Sequence, residues 1–311
     1  MERRSYRIEH ETRHAYATRA LTSQHVACLG FRSLPRQRVV SHVLDIDPQP
    51  AFVLDRTDYF GNAIAEFTVL TGYTELRVMS RSVVDVFPAD VSLNPHTTPP
   101  WEDVRDELVY RRGIPYDASA EFSYPSPYAG EAPEVETFAR EVFTPHKPVL
   151  VGAIDLMHRI HDEFRFDPGA TSITTPVTRV LSERRGVCQD FAHLQIACLR
   201  ALGLAARYVS GYLLTDPPPG QPRLVGADAS HAWLSVRCTR DTWVDLDPTN
   251  DVLPDARHIT MAWGRDYGDV SPLRGVVLGG AGHTLHVGVS VIPIAPVEST
   301  EPDAGCLQST P

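Results

Sequence analysis

The segment Gly186-Val187-Cys188-Gln189-Asp190-Phe191-Ala192-His193 opens the most apolar part of the chain, which continues to Gly203. One apolar stripe recurs at helical spacing and further apolar residues cover the other sides, so the pattern predicts a helix over 187–202 that is buried almost all round. Its polar end is the N-terminus, where Cys188 lies. A helix N-terminus carries about half a positive charge and unpaired N–H groups, which favour a thiolate and stabilise an oxyanion. Cys188 is therefore a candidate nucleophile, although free cysteines are also common as small buried residues.

Two strand-like segments, 231–238 and 242–247, are joined by a few residues around Thr239 and predict a β-hairpin. In a hairpin centred on Thr239, the apolar residues share one face and His231 lies opposite Asp247 on the other. An imidazole held by a carboxylate is the base and orienting acid of a catalytic triad. The spacing therefore predicts that His231 and Asp247 act together.

The same spacing also fits an ordinary cross-strand ion pair. A slip of one residue in the register would place His231 and Asp247 on a diagonal or on opposite faces. Asp245 on the same face and Asp228 three residues before His231 are competing acids.

The composition changes along the chain and indicates an α+β protein. Alternating residues from Tyr6 to Phe87 predict a β-rich N-terminal domain over 1–95, with antiparallel strands. Frequent prolines over 96–148 predict a connecting region on the surface with one or two short helices. Helical and strand-like segments over 149–295 predict the core, and the polar residues 296–311 predict a flexible tail.

Charge and cysteine content limit the classes of function. The 39 acidic and 29 basic side chains give a net charge of −10, which disfavours binding to nucleic acid. The N-terminus lacks the apolar run of a secretory signal, and we expect a cytoplasmic protein that does not bind membranes. Five cysteines without a CxxC pair favour reduced thiols over a disulfide framework or a zinc site. We expect no metal and no cofactor.

Four segments closely resemble, in the same order, the core of bacterial transglutaminase-like proteins: residues 186–193, 206–212, 228–233 and 243–250. The resemblance implies a papain-like core in which the nucleophile lies on a buried helix packed on an antiparallel sheet. It also implies that Cys188 is the nucleophile, His231 the base and Asp247 the orienting acid. The strand-rich first hundred residues look like the β domain that accompanies this core in bacteria.

The implied reaction is acyl transfer on a protein or peptide amide through a thioester, with a primary amine as a candidate acceptor. A cysteine peptidase or amidase with the same triad is one alternative, and a non-catalytic protein-binding module on the same fold is another. The backbone N–H of Cys188 is the expected first oxyanion donor, and Gln189 is a weak candidate for the second. Asp190 and His193 are expected to support the site through buried hydrogen bonds.

Overall fold

The computed structural model describes residues 3–88, 93–215 and 230–295. The strands are β1 (Arg4–Ala27), β2 (Gln37–Asp47), β3 (Phe52–Thr57), β4 (Ala63–Val69), β5 (Tyr73–Val86), β6 (Arg165–Phe166), β7 (Arg185–Gly186), β8 (Ala206–Leu213), β9 (Ser230–Thr239), β10 (Thr242–Leu246), β11 (His258–Gly264), β12 (Leu273–Gly279) and β13 (His283–Ile294). The helices are α1 (Trp101–Leu108), α2 (Pro133–Arg140), α3 (Val149–Glu163), α4 (Val177–Glu183), α5 (Cys188–Ala201) and α6 (Tyr267–Val270). The predicted α+β class and the β-rich N-terminal region are confirmed. The predicted tail, Cys306 and Asp228 lie outside the described residues.

A seven-stranded sheet is built around the long strand β1. The first part of β1 pairs with β5 and β13, and its last part pairs with β4 and β12. β12 and β13 cover the edge of β1 that β4 and β5 leave open, so both edges are paired. The sequence grouped residues 283–294 with the core, whereas the structure pairs them with β1, because spacing along the chain cannot show which edge a strand will cover. The predicted unit limits at residues 95, 148 and 295 remain predictions.

The second sheet has the order β10-β9-β8-β11 and is antiparallel throughout. Helix α5 packs across β8 and β9, and α2, α3 and α4 pack against α5. Every side chain of α5 from Asp190 to Arg200 is buried, which confirms the expected burial on all sides. Burial of a leucine such as Leu199 contributes about 1.5–3 kcal/mol to the free energy of unfolding. The helix that begins at Cys188 is therefore fixed firmly in the core.

The proline-rich region 96–148 is more deeply packed than the sequence predicted. Pro100 and Pro133 mark the starts of α1 and α2, as is typical of proline at a helix start. Val104 and Phe138 of these helices are buried in the same apolar cluster as α5. Prolines indicated breaks between elements correctly, but they carry no information on which faces of the short helices are covered.

Strand β11 joins the two sheets. Its outer edge is bound by two buried amides: Gln37 donates to the Thr260 carbonyl (2.6 Å) and accepts the Thr260 N–H (2.8 Å). Asn62 makes the same reciprocal pair with Trp263, at 2.8 and 3.0 Å. The two amides act as a substitute for a neighbouring strand, since a buried backbone group needs a partner. The sequence predicted no strand here, because β11 is buried on both faces and lacks polar alternation.

Replacing Gln37 with alanine should lower the free energy of unfolding by about 1–3 kcal/mol, because the backbone groups of Thr260 lose their buried partner. Urea denaturation followed by circular dichroism measures this change. Gln24, an exposed residue of β1, provides the matched control, and its alanine variant should stay within about 0.5 kcal/mol of the wild type. Equal losses in the two variants would contradict the structural role of the Gln37 pair.

Candidate active site

Cys188 is the first residue of α5, and Val187 occupies the cap position before it. The Asp190 carboxylate accepts the Val187 backbone N–H (2.8 Å) and the Thr171 hydroxyl (2.6 Å), which holds the first turn. Gly186 permits this approach, because a Cβ there would lie 2.8 Å from the Asp190 Cβ. The first N–H groups of a helix have no acceptor within the helix. The sulfur and an N–H donor are therefore presented together at the start of α5.

Cys188 differs in exposure from the other described cysteines. It is half-buried, whereas Cys28, Cys198 and Cys238 are buried, and all four thiols are free. Burial raises the pKa of Cys28 and of Cys238 to about 12, and it raises the pKa of Cys198 as well. These three thiols therefore stay protonated at neutral pH, and Cys188 is the candidate nucleophile among the described cysteines.

His231 contacts both other predicted site residues. Its Nε2–H donates to Asp247 Oδ2 (2.7 Å), and the neighbouring side chain of Cys188 also acts to raise the pKa of the ring. Because Nε2 is bound to the carboxylate, Nδ1 is the ring atom left for the sulfur. The structure thus brings Cys188, His231 and Asp247 into one connected cluster.

The observed hairpin register differs from the predicted one by two residues. A hairpin centred on Thr239 would place Val244 opposite Leu234, whereas Val244 pairs with Val236, because the turn lies one residue later in the chain. A shift of two residues keeps every side chain on its predicted face of the sheet. Asp247 lies just beyond the end of β10, so it meets His231 diagonally rather than directly across.

Asp247 is a fully buried carboxylate, and both of its oxygens accept hydrogen bonds. Oδ1 accepts the backbone N–H groups of Thr249 (3.0 Å) and Asn250 (3.3 Å). Oδ2 accepts from His231, from the Asn250 side chain (2.7 Å) and from His258 Nε2 (3.1 Å). A buried carboxylate stays ionised only where donors replace the lost water, and this set of donors does so.

His258 is the residue of the cluster that the sequence missed. It is 1% exposed and begins β11, where no strand was predicted. It lies eleven residues after Asp247, outside the hairpin, and belongs to none of the quoted segments. The pairing of β11 with β8 brings it back to the carboxylate, which is a long-range contact that spacing cannot reveal.

The charges of the cluster shift its pKa values. Burial by itself lowers the pKa of His231, but hydrogen bonds and charge interactions with Asp247 and Cys188 outweigh burial and raise the pKa to about 10. Burial would raise the pKa of Asp247, but the donors His231, His258 and Asn250 hold it well below its usual range. His231 and Asp247 therefore form an imidazolium–carboxylate pair at neutral pH.

The supporting residues take mainly structural roles. His193 is buried and accepts the Tyr267 backbone N–H at Nε2 (3.1 Å), and burial lowers its pKa to about 3. Gln189 donates to the Ile173 carbonyl (3.3 Å), so the structure does not support it as an oxyanion donor.

The competing acid Asp245 also has a different partner. It forms an ion pair with Arg36 at 3.1 Å rather than with His231. Asp247 is therefore the carboxylate that holds His231 in the described part of the chain.

Among the described residues, His231, Asp247 and His258 form a group that could hold a metal ion, because their potential ligand atoms all lie within 4.8 Å of one another. Metal binding requires free lone pairs, but three N–H donors converge on Asp247 Oδ2. In addition, Nδ1 of His258 faces the Asp255 N–H (3.3 Å) and Asp255 Oδ1 (3.5 Å), and Nε2 carries the hydrogen that binds Asp247. These contacts suit a hydrogen-bonded carboxylate better than a metal centre.

Two family models match the chain. A model of the bacterial transglutaminase-like N-terminal region matches residues 6–85, and a model of the transglutaminase-like superfamily matches residues 136–248. The second match includes Cys188, His231 and Asp247. No helix in the described ranges is both long and apolar enough to cross a membrane.

Individual relatives agree with these matches. An uncharacterized protein of Mycobacterium tuberculosis is 42% identical over 295 residues, which cover 93% of this chain and 92% of that protein. The protein-glutamine gamma-glutamyltransferase of Pseudomonas aeruginosa is 30% identical over 127 residues, 40% of this chain and 19% of that protein. A crystal structure from Cytophaga hutchinsonii, provisionally named a cysteine protease, has a TM-score of 0.72 at 17% identity and covers 96% of this chain and 93% of its own. This last likeness shows a shared fold.

The His231 ring is expected to lose its proton near pH 10, and an NMR titration of its ring protons measures the midpoint. Since this pKa is raised in the folded state, the imidazolium contributes stability that is fully present below about pH 6.5 and is lost as the pH rises towards 10. Replacing Asp247 with asparagine should lower the midpoint by about 1–3, the usual effect of a nearby opposite charge. An Asp245→Asn variant should leave it unchanged. A wild-type midpoint at or below 6.5 would refute the assigned ion pair.

Proposed function

The chain belongs to the transglutaminase-like superfamily, and we propose that it is a cysteine-dependent enzyme that transfers an acyl group from an amide substrate through a thioester on Cys188. The proposal is supported by the cluster in which Asp247 binds His231 (2.7 Å) and the side chain of Cys188, at the start of α5, acts with Asp247 to raise the pKa of that histidine. A half-buried sulfur at a helix N-terminus, next to a histidine that a buried carboxylate orients, is the arrangement that thiol acyl transfer needs.

The first half-reaction uses His231 as an acid. The Cys188 thiolate attacks the amide carbonyl carbon and forms a C–S bond, and the carbonyl π electrons move to the oxygen. As the tetrahedral intermediate collapses, the C–N bond breaks and His231 gives its Nδ1 proton to the departing nitrogen. Ammonia or an amine leaves, and the acyl group remains on Cys188 as a thioester.

The second half-reaction uses His231 as a base. The neutral imidazole accepts a proton from an incoming amine or water as that nucleophile attacks the thioester. The C–S bond then breaks and returns the thiolate, beside an imidazolium that Asp247 stabilises. Each proton given in the first half is thus recovered in the second.

The developing oxyanion needs a donor close to the sulfur. The backbone N–H of Cys188 lies at the start of α5, where the helix leaves such groups without an acceptor. A donor of this kind contributes about 3–4 kcal/mol of transition-state stabilisation in acyl transfer. We propose this N–H as the first donor of the oxyanion hole.

Hydrolysis of the thioester is an alternative reaction that uses the same residues. A peptidase or amidase shares the first half-reaction and differs in using water to resolve the thioester. The choice depends on exclusion of water and on a binding position for the amine. The name of the Pseudomonas aeruginosa relative favours transfer, and that of the Cytophaga hutchinsonii structure favours hydrolysis.

A non-catalytic binding module on the same fold is the alternative from another class. Such a module would not require the buried Asp247 carboxylate, which is costly to desolvate and is held by five hydrogen bonds. The organised carboxylate therefore favours an enzyme.

We propose a protein or peptide amide as the acyl donor, a primary amine as the candidate acceptor, no cofactor and no nucleic acid or membrane partner. We also propose a cytoplasmic location, since a nucleophilic thiolate works only while it remains reduced.

Incubation with a glutamine-containing peptide and a fluorescent primary amine tests the proposal. Label incorporation indicates transfer, and deamidation or cleavage without label indicates hydrolysis. Cys188→Ala should abolish both, and His231→Ala should lower kcat by about 10²–10⁴ because the proton donor and acceptor is lost.

His286, an exposed histidine of β13, provides the control, and His286→Ala should keep full activity. Turnover that survives Cys188→Ala would refute the mechanism. Neither transfer nor hydrolysis across a panel of amide peptides would favour the binding module.

A further inference from the structure

We propose that His258 is a positioning residue of this site: its Nε2–H fixes the Asp247 carboxylate that holds His231, so that the functional chain is Cys188–His231–Asp247–His258. The proposal rests on the proposed function, in which His231 acts on the sulfur of Cys188. It adds a fourth residue that has no contact with the sulfur and acts through the carboxylate.

Two imidazoles bind the same carboxylate oxygen. His231 Nε2 lies 2.7 Å and His258 Nε2 lies 3.1 Å from Asp247 Oδ2, and the ring centroids of the two histidines are 6.1 Å apart. His231 is on the side of the sulfur and His258 is on the side of β11. The carboxylate is therefore held between a histidine of the proposed chemistry and a histidine of the sheet.

The proton of His258 is directed to the carboxylate by the backbone. His258 Nδ1 lies against Asp255, whose backbone N–H is 3.3 Å away and whose Oδ1 is 3.5 Å away. Nε2 carries a hydrogen both when Nδ1 accepts this N–H and when a doubly protonated ring faces this carboxylate. A ring in the other tautomer would direct two N–H groups at each other and a lone pair at a carboxylate. The contacts of Nδ1 with Asp255 thus leave His258 Nε2–H as a donor to Asp247.

The sheet fixes the ring as well as its tautomer. His258 is 1% exposed and packs edge-to-face against Trp233, with centroids 5.3 Å apart. Two residues further along β11, Gln37 binds both backbone groups of Thr260. The position of His258, and through it that of Asp247, therefore depends on the junction of β11 with the first sheet.

The contribution of His258 differs from that of the other donors. The bonds from Thr249 and Asn250 come from the same turn as Asp247 and would move with it. His258 lies on a different strand, so it ties the carboxylate to the sheet that also carries His231. Without this donor the turn can shift relative to His231, and the support of the imidazolium weakens.

Alkylation of Cys188 by iodoacetamide at pH 6, followed by peptide mass spectrometry of the full chain, tests the proposal without any substrate. His258→Phe keeps a buried ring but removes the donor, and we expect alkylation about tenfold slower, by analogy with the loss of outer partners of metal-bound histidines. His258→Gln retains an Nε2 donor and should return close to the wild-type rate. His10, a buried histidine of the first sheet, provides the control, and His10→Phe should leave the rate unchanged.

A double-mutant cycle separates positioning from general loss of structure. Asp247→Asn should slow alkylation, and His258→Phe in that background should slow it no further, because His258 acts only through the carboxylate. The free energy of unfolding is measured for every variant, so the rates are compared between folded proteins. Additive losses, an unchanged rate in His258→Phe, or a folded His258→Gln as slow as His258→Phe would each overturn the proposal.

The alkylation rate and the turnover of amides together separate failure of the positioning role from failure of the proposed function. Fast alkylation that depends on His258, together with no turnover of any amide, would refute acyl transfer and support the positioning role. A wild-type Cys188 that reacts no faster than free cysteine would overturn the positioning role itself, because His231 would then give the sulfur no activation for His258 to support.

Discussion

The buried charge of Asp247 is the constraint on which the site depends. Removing a carboxylate from water costs several kcal/mol, and the cost is offset only if donors surround both oxygens. The turn after β10 supplies backbone N–H groups to one oxygen, while His231, His258 and Asn250 supply donors to the other. Once the carboxylate is held in this way, it raises the pKa of His231 and keeps an imidazolium beside the Cys188 sulfur.

The same constraint connects the site to parts of the chain far from it in sequence. His258 begins β11, and the outer edge of β11 is bound by Gln37 and Asn62 from the strand-rich N-terminal region. Helix α5, which begins with Cys188, is buried where it packs across strands β8 and β9 of the second sheet. The nucleophile and its partners are thus positioned by different layers that meet at the second sheet.

Local patterns in the sequence predicted the parts of this arrangement that depend on neighbours in the chain. The apolar period placed Cys188 at a helix start, and the alternation of the hairpin put His231 and Asp247 on one face even though the register was wrong by two residues. His258 was not predictable, because its contact with Asp247 depends on the pairing of β11 with β8. The partner of β13 was also beyond local pattern, since an alternating strand can pair with any open edge.

If Cys188 carries the acyl group, reaction with an activated ester should add the mass of one acyl group to the intact protein. Peptide mapping should locate this group on Cys188, hydroxylamine should remove it, and it should form far more slowly in the His231→Ala variant. Acylation at another residue, or equal acylation of Cys188 with and without His231, would show that Cys188 is not the activated nucleophile.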